Sequence, residues 1–455
     1  MSYRCSVVCV LLGAAGCIQT PMARPAHVSP ARAAPSSTTT PSDSAVDDNV
    51  IEQMKRDGVS LRFVWANDYA ASVRGGERTG ATNGGGAVGG ADLDMFKLAG
   101  IEGAKMHITF AGYYGHSVAA DDIGITQKIQ GYWYPKQQWQ LAQLAWEQNF
   151  SSSHLNVLAG RVNATWQFAR SSYGCHFVSA PDCPYQLTNT TGGFSGFPYV
   201  NWGGRVRYEP DARYLAIGAF EINPDRRNNH GLDWGLENAT GVMVPVEVGY
   251  QTSFATDPYP GTLKLGGWYN SSDYTDPQLN TRGVSRVLFG GTACHYRGGR
   301  YGLYALGDKV VWKPDPTSNT RTLALFSSFA APLDHAEIYT LQATAGFIWS
   351  GPLASRPHDA LNFQATWFKF SKKQVGFEDD LLRKVQSSER FSRNELMLEF
   401  NYSYSLLPWL SIVPNLQYIV QPDVLGKPTG ITHVPANALV LGLRVMFNMG
   451  GPGGP

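Results

Sequence analysis

The chain has 455 residues, enough for two or three ordinary domains or for one large barrel. Charged residues make up only 16% of it, against about 25% in typical soluble proteins, and the formal net charge of +1 argues against a general nucleic-acid or anionic-membrane binder. The chain is rich in tyrosine (22 residues), tryptophan (12) and glycine (49). This composition suits a membrane barrel, which places aromatic residues at the interfaces and glycine in bends and turns.

The long apolar run of the sequence lies at its start. Arg4 and the short apolar segment 7–15 have the pattern of a secretory signal, and the segment is too short to span a membrane as a helix. The run ends in Ala-Ala-Gly-Cys, similar to a lipobox, so we predict residues 1–17 as a signal. Two outcomes stay open for Cys17: lipidation, or ordinary signal cleavage somewhat later in the chain.

The next segment changes character twice. Residues 18–48 are rich in Pro, Ala, Ser and Thr without a hydrophobic pattern, which predicts a flexible tether. Residues 47–56 predict a short helix with acidic residues first and basic residues last, the order that the helix dipole favours. We expect residues 49–449 to form this helix and a β-barrel, followed by a Gly/Pro tail at 450–455.

From Val59 onward the chain keeps returning to a strand pattern. The glycine-rich stretch 83–90 is interpreted as a loop and 92–98 as a weak strand. In 155–163 the alternation predicts Leu158 and Val162 facing outward, with Arg161 and Asn163 facing inward. Further strands are predicted near 301–313, 321–330, 337–349, 360–370, 394–406, 410–420 and 437–447.

The clearest signal is the hairpin 394–422. Its first strand alternates apolar residues with Glu395, Glu399 and Asn401, and a Leu-Pro-Trp turn leads into a second alternating strand. Each run has the length of a tilted transmembrane strand of about 9–11 residues. We therefore predict an all-β fold, a transmembrane antiparallel barrel of about sixteen strands in which the last pairs with the first. The alternative for the hairpin is one half-buried sheet of a soluble sandwich.

No motif for catalysis, phosphate binding or metal binding is present, so we expect no enzyme activity, no cofactor and no metal site. Polar groups on the predicted inner faces are instead the candidate pore residues: Arg62, Glu147, Arg161, Arg205, Arg207, Glu247 and Lys264. Arginine forks and carboxylates can bind sugar hydroxyls, and the aromatic candidates for stacking on a sugar ring are Trp166, Phe168 and Trp268. The alternative is that these charges only hold the lumen and the loop in place.

Three cysteines lie in the body of the chain. Cys175 and Cys183 are close together in a loop with Pro and Gly, so we expect them to pair in an exported protein, whereas Cys294 has no clear partner.

Several segments together resemble the OprB-type family of carbohydrate-selective outer-membrane porins, over roughly residues 50–447. They are VLAGRVNATWQFA at 157–169, WGGRVRYEP at 202–210, AIGAFEINP at 216–224, HGLDWG at 230–235, LLPWLSIVPNLQYIVQP at 406–422 and LGLR at 441–444. The resemblance implies a sixteen-stranded barrel and passive uptake of monosaccharides such as glucose. It also implies an arginine-lined constriction, narrowed by an inward-folding loop at 164–198. Because this loop is long, lies between two firm strands and carries aromatic residues and arginine together, we expect Arg161 and Arg170 among the constriction cations.

The expected location is the outer membrane of a Gram-negative bacterium. The expected partners are carbohydrate solutes, outer-membrane lipid and lipopolysaccharide, and the barrel-assembly machinery, with no nucleic acid. Three alternatives stay open: a less selective pore for small solutes, an outer-membrane barrel enzyme such as a lipid hydrolase, and a structural or export component of the envelope.

Overall fold

The computed structural model describes residues 45–183, 191–224, 230–425 and 431–449. The predicted signal with Cys17, most of the predicted tether and the tail at 450–455 lie outside the described residues, and those predictions stay as they are. The helix predicted at 47–56 is present as α1, Ala45–Arg56.

Strands dominate the described residues. They are β1 Val59–Gly76, β2 Gly80–Asp94, β3 Ala104–Gly115, β4 Gln140–Phe150, β5 Leu155–Val162, β6 Asn201–Tyr208, β7 Arg213–Ile222, β8 Gly241–Gln251, β9 Gly261–Asn270, β10 Tyr274–Asn280, β11 Ala293–Tyr296, β12 Arg300–Trp312, β13 Thr322–Pro332, β14 Tyr339–Ser350, β15 Ala360–Phe370, β16 Asn394–Leu407, β17 Leu410–Val420 and β18 Ala436–Met449. The helices after α1 are short: α2 Met95–Ala99, α3 Ala164–Gln167, α4 Arg286–Phe289 and α5 Lys372–Lys384. In the part of the chain that is described, no helix is both long and apolar enough to cross a membrane.

Sixteen of the described strands close into one antiparallel barrel, and β10 and β11 pair separately as a small sheet. The seam joins β1 to β18 in a register that places Trp65 opposite Phe447 and Asp68 opposite Arg444. The predicted strand count and the predicted pairing of the last strand with the first are confirmed. Closure matters because an open sheet edge in lipid would leave backbone groups without hydrogen bonds.

The two faces of the barrel wall differ as the hairpin 394–422 predicts. On the outer face Phe400 of β16 and Leu416 of β17 are register partners and both are exposed. On the inner face Glu399 and Gln417 are partners and both are buried. A charge on the lipid side would cost about 2–4 kcal/mol near mid-membrane, so the alternation fixes which face turns inward.

The glycine-rich stretch 83–90 is a correction, because it lies inside β2 instead of forming a loop. The predicted weak strand 92–98 is also wrong: β2 ends at Asp94, whose side chain caps α2. Glycine is usually depleted in strands, which misled the prediction. Here the missing side chains leave room for rings, since a Cβ at Gly84 would collide with Trp133 and one at Gly86 with Tyr113.

Connections at one end of the barrel are short, such as the turn at Pro408 and Trp409 between β16 and β17. Those at the other end are long and include residues 116–139, 163–200, 271–299 and 371–393. Outer-membrane barrels place short turns in the periplasm and long loops outside the cell. We therefore assign the short-turn end to the periplasm.

Two of the long loops fold into the barrel. In the loop 116–139, Ile123, Ile125 and Ile129 are buried in a cluster with Tyr339 and Phe368 on the wall. The second is the loop 163–200 between β5 and β6, which we call the inner loop. The loop 116–139 and the inner loop together fill only part of the barrel interior. An open space remains between the inner loop and one side of the barrel wall.

Candidate functional site

The open space is a cavity of about 620 Å³ between the inner loop and the strands β1–β6, β8 and β9. Its lining is rich in charged and amide side chains. It consists of Arg62, Asp92, His107, Gln143, Glu147, Leu158, Trp166, Gln167, Arg170, Ser171, Ser172, Arg205, Arg207, Glu247, Gln251 and Lys264. The volume falls within the range of about 300–1,000 Å³ that is usual for small-molecule sites.

Eight residues proposed from sequence meet at this cavity. They are Arg62, Glu147, Trp166, Arg170, Arg205, Arg207, Glu247 and Lys264. The strands supply six of them because directly paired inner-face positions of neighbouring strands lie side by side. The inner loop supplies Trp166 and Arg170.

A chain of ion pairs crosses the cavity wall from β1 to β6. Arg62 on β1 contacts Asp92 on β2 with a shortest N–O distance of 3.0 Å. His107 on β3 lies between two carboxylates, 2.6 Å from Asp92 and 2.9 Å from Glu147. Carboxylates only accept hydrogen bonds, so both contacts are hydrogen bonds only when both ring nitrogens carry a proton.

The chain continues from Glu147 to Arg205 on β6, at 3.4 Å. Arg205 is held from two more sides, since its Nε donates to Gln167 Oε1 at 2.8 Å and its Nη1 donates to Asn156 Oδ1 at 2.6 Å. Fixing the guanidinium on three sides leaves its plane in one orientation, which is what recognition of a rigid solute requires.

The opposite wall of the cavity carries cations that face the inner loop. Lys264 Nζ donates to the carbonyl oxygen of Arg170 at 2.9 Å. The exposed guanidinium of Arg170 lies over the ring of Trp166, with its carbon 4.6 Å from the ring centre. The pair Trp166 and Arg170 therefore presents an aromatic face and a charge at one point of the wall.

The Glu247 carboxylate holds the inner loop in place, and its oxygens already accept hydrogen bonds from the protein. It is buried and accepts from the backbone N–H of Ala169 at 2.8 Å, from Tyr214 Oη at 2.7 Å and from Tyr304 Oη at 3.0 Å. Ala169 has a positive φ of 57°, an unfavourable backbone conformation for a residue with a Cβ. The carboxylate thus holds the loop backbone in place just before Arg170.

The far part of the inner loop is fastened to the opposite wall. Glu399 of β16 accepts from the backbone N–H groups of Val178 and Ser179, each at 2.8 Å. Asp182 accepts from the hydroxyl of Ser328 at 2.6 Å, and burial raises the pKa of this loop carboxyl to about 6. A disulfide joins Cys175 to Cys183 within the same segment.

Arg161 requires a correction, because the structure places it on the outer face. Its register partner on β6 is Trp202, an exposed residue of the outer wall. The Arg161 side chain is buried there beneath the connection from β7 to β8: it donates to Gly231 O at 3.1 Å, and the rings of Trp202 and Trp234 each lie 5.5 Å from its guanidinium carbon. Arg161 therefore does not line the described cavity.

Phe168 and Trp268 also differ from the prediction. Trp268 faces inward, but Phe194 of the inner loop covers it, and Phe168 packs against Phe220. Both rings belong to the buried cluster that seats the loop, so neither is in the cavity lining. Of the three aromatic candidates, Trp166 is in the cavity lining; Arg170 lies over one face of its ring, and the ring centre of Phe197 is 5.3 Å away.

Sequence reasoning missed several lining residues, including Asp92 and His107. The alternation of Met106, Ile108 and Phe110 marks one face of β3, so it contained the signal that His107 points the other way. A second cavity of about 620 Å³ was also missed; it lies at the periplasmic end, shares Glu147 with the first and is lined in addition by Asp94, Glu102, Lys105 and Asn156. The two cavities mark a route from the inner loop toward the periplasm.

Comparison with known proteins gives consistent matches. A family model described as "Carbohydrate-selective porin, OprB family" matches residues 78–449. Porin B of Pseudomonas aeruginosa is 25% identical over 408 residues, covering 85% of this chain and 87% of that protein. The putative porin QuiX of Acinetobacter baylyi is 24% identical over 428 residues, covering 87% and 90%.

The fold is shared with a solved structure. The high-pH structure of Pseudomonas putida OprB superposes with a TM-score of 0.79 at 23% sequence identity, covering 88% of this chain and 97% of that one. This similarity supports the barrel fold.

Proposed function

The chain belongs to the OprB family of carbohydrate-selective porins, and we propose that its cavity beneath the inner loop selects monosaccharides such as glucose for passive diffusion. The protein is a carbohydrate porin of the outer membrane, and a porin is a channel.

The observation that carries the proposal is the combination of fixed ion pairs with one aromatic face in the cavity wall. Sugar hydroxyls are both donors and acceptors, so a wall that alternates guanidinium and carboxylate groups can bind them from either side. Arg62, Asp92, Glu147 and Arg205 supply that wall, and Trp166 supplies a flat apolar surface for the C–H face of a pyranose.

The same geometry suits transport better than tight binding. A pore site must be favourable enough for a solute to enter and weak enough for it to leave. Most of the polar atoms of the wall already make hydrogen bonds within the protein. A sugar must therefore replace some of these bonds with its own, which lowers the net gain on binding. We expect weak affinity and a flux that follows the concentration gradient.

The test is a comparison of glucose with mannitol, which has nearly the same mass but no ring, by swelling of liposomes that contain the protein. We expect faster swelling in glucose, and Trp166→Leu should remove most of that difference because the flat surface is lost. Trp139→Leu is the matched control, since Trp139 is 62% exposed and outside the cavity lining. Equal swelling in the two solutes would instead support the less selective pore.

We infer that the chain meets lipopolysaccharide and the barrel-assembly machinery in the outer membrane, and that Cys17 is either lipidated or removed with the signal. A change of mass in Cys17→Ser after processing would support lipidation.

A further inference from the structure

The cavity has an uneven charge distribution. Its lining contains five lysine and arginine side chains, Arg62, Arg170, Arg205, Arg207 and Lys264, the imidazole of His107, and three carboxylates, Asp92, Glu147 and Glu247. Arg62, Arg205 and His107 are grouped with Asp92 and Glu147 on strands β1–β6. Lys264 and Arg170 lie in the other half of the cavity, which is formed by β8, β9 and the inner loop.

Two of those cations have no carboxylate partner. Among the described residues, neither Lys264 nor Arg170 lies within 4.0 Å of an acidic oxygen. The neighbouring carboxylate of Glu247 is occupied by Ala169, Tyr214 and Tyr304. Asp308 on β12 pairs in register with Thr262, while Lys264 pairs with Leu306, so Asp308 lies diagonally from Lys264, where it attracts the ammonium without forming an ion pair with it.

The two cations are also held close together. Lys264 Nζ donates to the backbone carbonyl of Arg170, so the ammonium lies at the root of the Arg170 side chain. Two like charges that face the same cavity repel each other, and an anion between them would reduce the repulsion. Arg207 of β6 also lines the cavity, but it is paired with Glu209 at 2.8 Å.

We propose that this half of the cavity is a subsite for a carboxylate, so that the pore takes monosaccharides bearing a carboxylate, such as uronic or aldonic acids, in preference to the neutral sugar. The carboxylate lies between Lys264 and the Arg170 guanidinium, and the ring stacks on Trp166 beside it. A guanidinium binds a carboxylate through two parallel hydrogen bonds, and an ammonium adds a point charge. The inference rests on the proposed function, because it adds a preference to the same sugar pathway.

The experiment compares glucuronate with glucose, two solutes that share the pyranose ring and differ by the carboxylate. Initial tracer uptake of each is measured in liposomes containing the protein, with potassium and valinomycin on both sides to hold the membrane potential at zero. We expect uptake of glucuronate to exceed that of glucose by about threefold or more at low salt, because a cationic constriction concentrates anions. The ratio should fall as ionic strength rises from about 0.01 M to about 1 M, over which the Debye length shrinks from about 30 Å to about 3 Å.

Lys264→Gln is the diagnostic variant, since it removes the charge and keeps a hydrogen-bond donor. It should lower the glucuronate-to-glucose ratio at least about twofold, and Arg170→Gln should do the same. Lys309→Gln is the matched control: Lys309 is half exposed, pairs with Asp257 and is outside the cavity lining, so the ratio should stay at its original value.

The possible outcomes distinguish a failure of the carboxylate subsite from a failure of the proposed sugar pore. Glucose uptake above that of protein-free liposomes, with a ratio at or below one or a ratio unchanged in Lys264→Gln, overturns the carboxylate subsite and leaves the sugar pore standing. Glucose uptake equal to that of protein-free liposomes overturns the proposed function itself. A raised ratio that falls in Lys264→Gln and not in Lys309→Gln supports the subsite.

Discussion

Arg444 on the last strand and Asp68 on the first form a two-pronged ion pair across the barrel seam, with N–O distances of 2.6 and 2.9 Å. Both side chains are buried, and Arg444 also donates to the carbonyl oxygens of Phe177 and Val178 in the inner loop. One guanidinium therefore joins the closure of the barrel to the position of the loop.

Breaking this pair should destabilise the barrel strongly. Arg444→Met leaves the Asp68 carboxylate buried without its partner, which costs about 3–5 kcal/mol in comparable buried pairs. We expect a lower midpoint for the heat-induced loss of the folded band in gel electrophoresis. Glu52→Gln is the control, because it removes an ion pair with Lys55 in which both side chains are more than 60% exposed, and its midpoint should not change.

The double variant Asp68→Leu with Arg444→Met separates the two roles. Two apolar side chains often replace a buried pair at little cost, so thermal stability should recover in part. The contacts from Arg444 to the inner loop are absent in both Arg444→Met and the double variant. We therefore expect single-channel current noise above that of the parent protein in both. Full recovery of both properties would show that Arg444 does not fasten the loop.

The disulfide Cys175–Cys183 should protect the loop and not the barrel. It closes a short segment of the inner loop and spans no strand. Cys175→Ser should raise open-channel noise and weaken sugar block, while the thermal midpoint stays near its original value. Thiol labelling without reductant should modify Cys294, which is partly accessible, and leave the other two unmodified; labelling of all three would contradict the pairing.

The strand pattern predicted the wall well and the interior poorly, for a physical reason. In the hairpin 394–422 lipid lies on one side and polar groups on the other, so apolar residues at alternate positions mark the outer face. In β5 the inner loop brings Phe168 into the lumen, and Leu158 and Val162 pack with it on the inner side. An apolar residue there no longer means a lipid-facing one, so the faces of β5 were assigned the wrong way round.

The cavity was predictable in its strands and not in its loops. Inner-face charges such as Arg205 and Lys264 follow from alternation alone. The fold of the loop 116–139 into the lumen depends on contacts with residues almost 300 positions away, such as the hydrogen bond from the Thr126 backbone N–H to Asp423, which no local pattern encodes. The partners of Arg161 likewise come from the distant connection between β7 and β8.

The docking of the inner loop should weaken as the pH rises through about 6. The pKa of Asp182 is raised from 3.8 to about 6 by burial, so the docked loop favours the protonated carboxyl. A raised acid pKa contributes full stability below pH 4, and this contribution is lost as the pH passes 6; the shift corresponds to roughly 3 kcal/mol at most. We expect current noise to rise between pH 5 and about 8.

Asp182→Asn provides the control for that prediction. The amide keeps the shape of the protonated carboxyl and does not titrate, and its oxygen can still accept from Ser328. The variant should show low noise at every pH in the range. If its noise still rises with pH as in the parent, another group controls the loop.

Substitution by alanine should shift the reversal potential of the pore at Arg170 and leave it unchanged at Arg161. Arg170 is exposed at the cavity, so Arg170→Ala removes a positive charge from the pathway and should shift the reversal potential in a salt gradient toward cation preference. Arg161 lies on the outer face beneath Trp234 and contacts Gly231, so Arg161→Ala should leave the reversal potential unchanged.

The effect of Arg161→Ala should appear in the stability of the protein, because a buried arginine that bridges a strand to the loop packed over it contributes packing as well as hydrogen bonds. Faster proteolysis within residues 230–240 would show that the loop has been released. A reversal potential that shifts in Arg161→Ala and not in Arg170→Ala would mean that the two arginines hold the reverse positions relative to the pore.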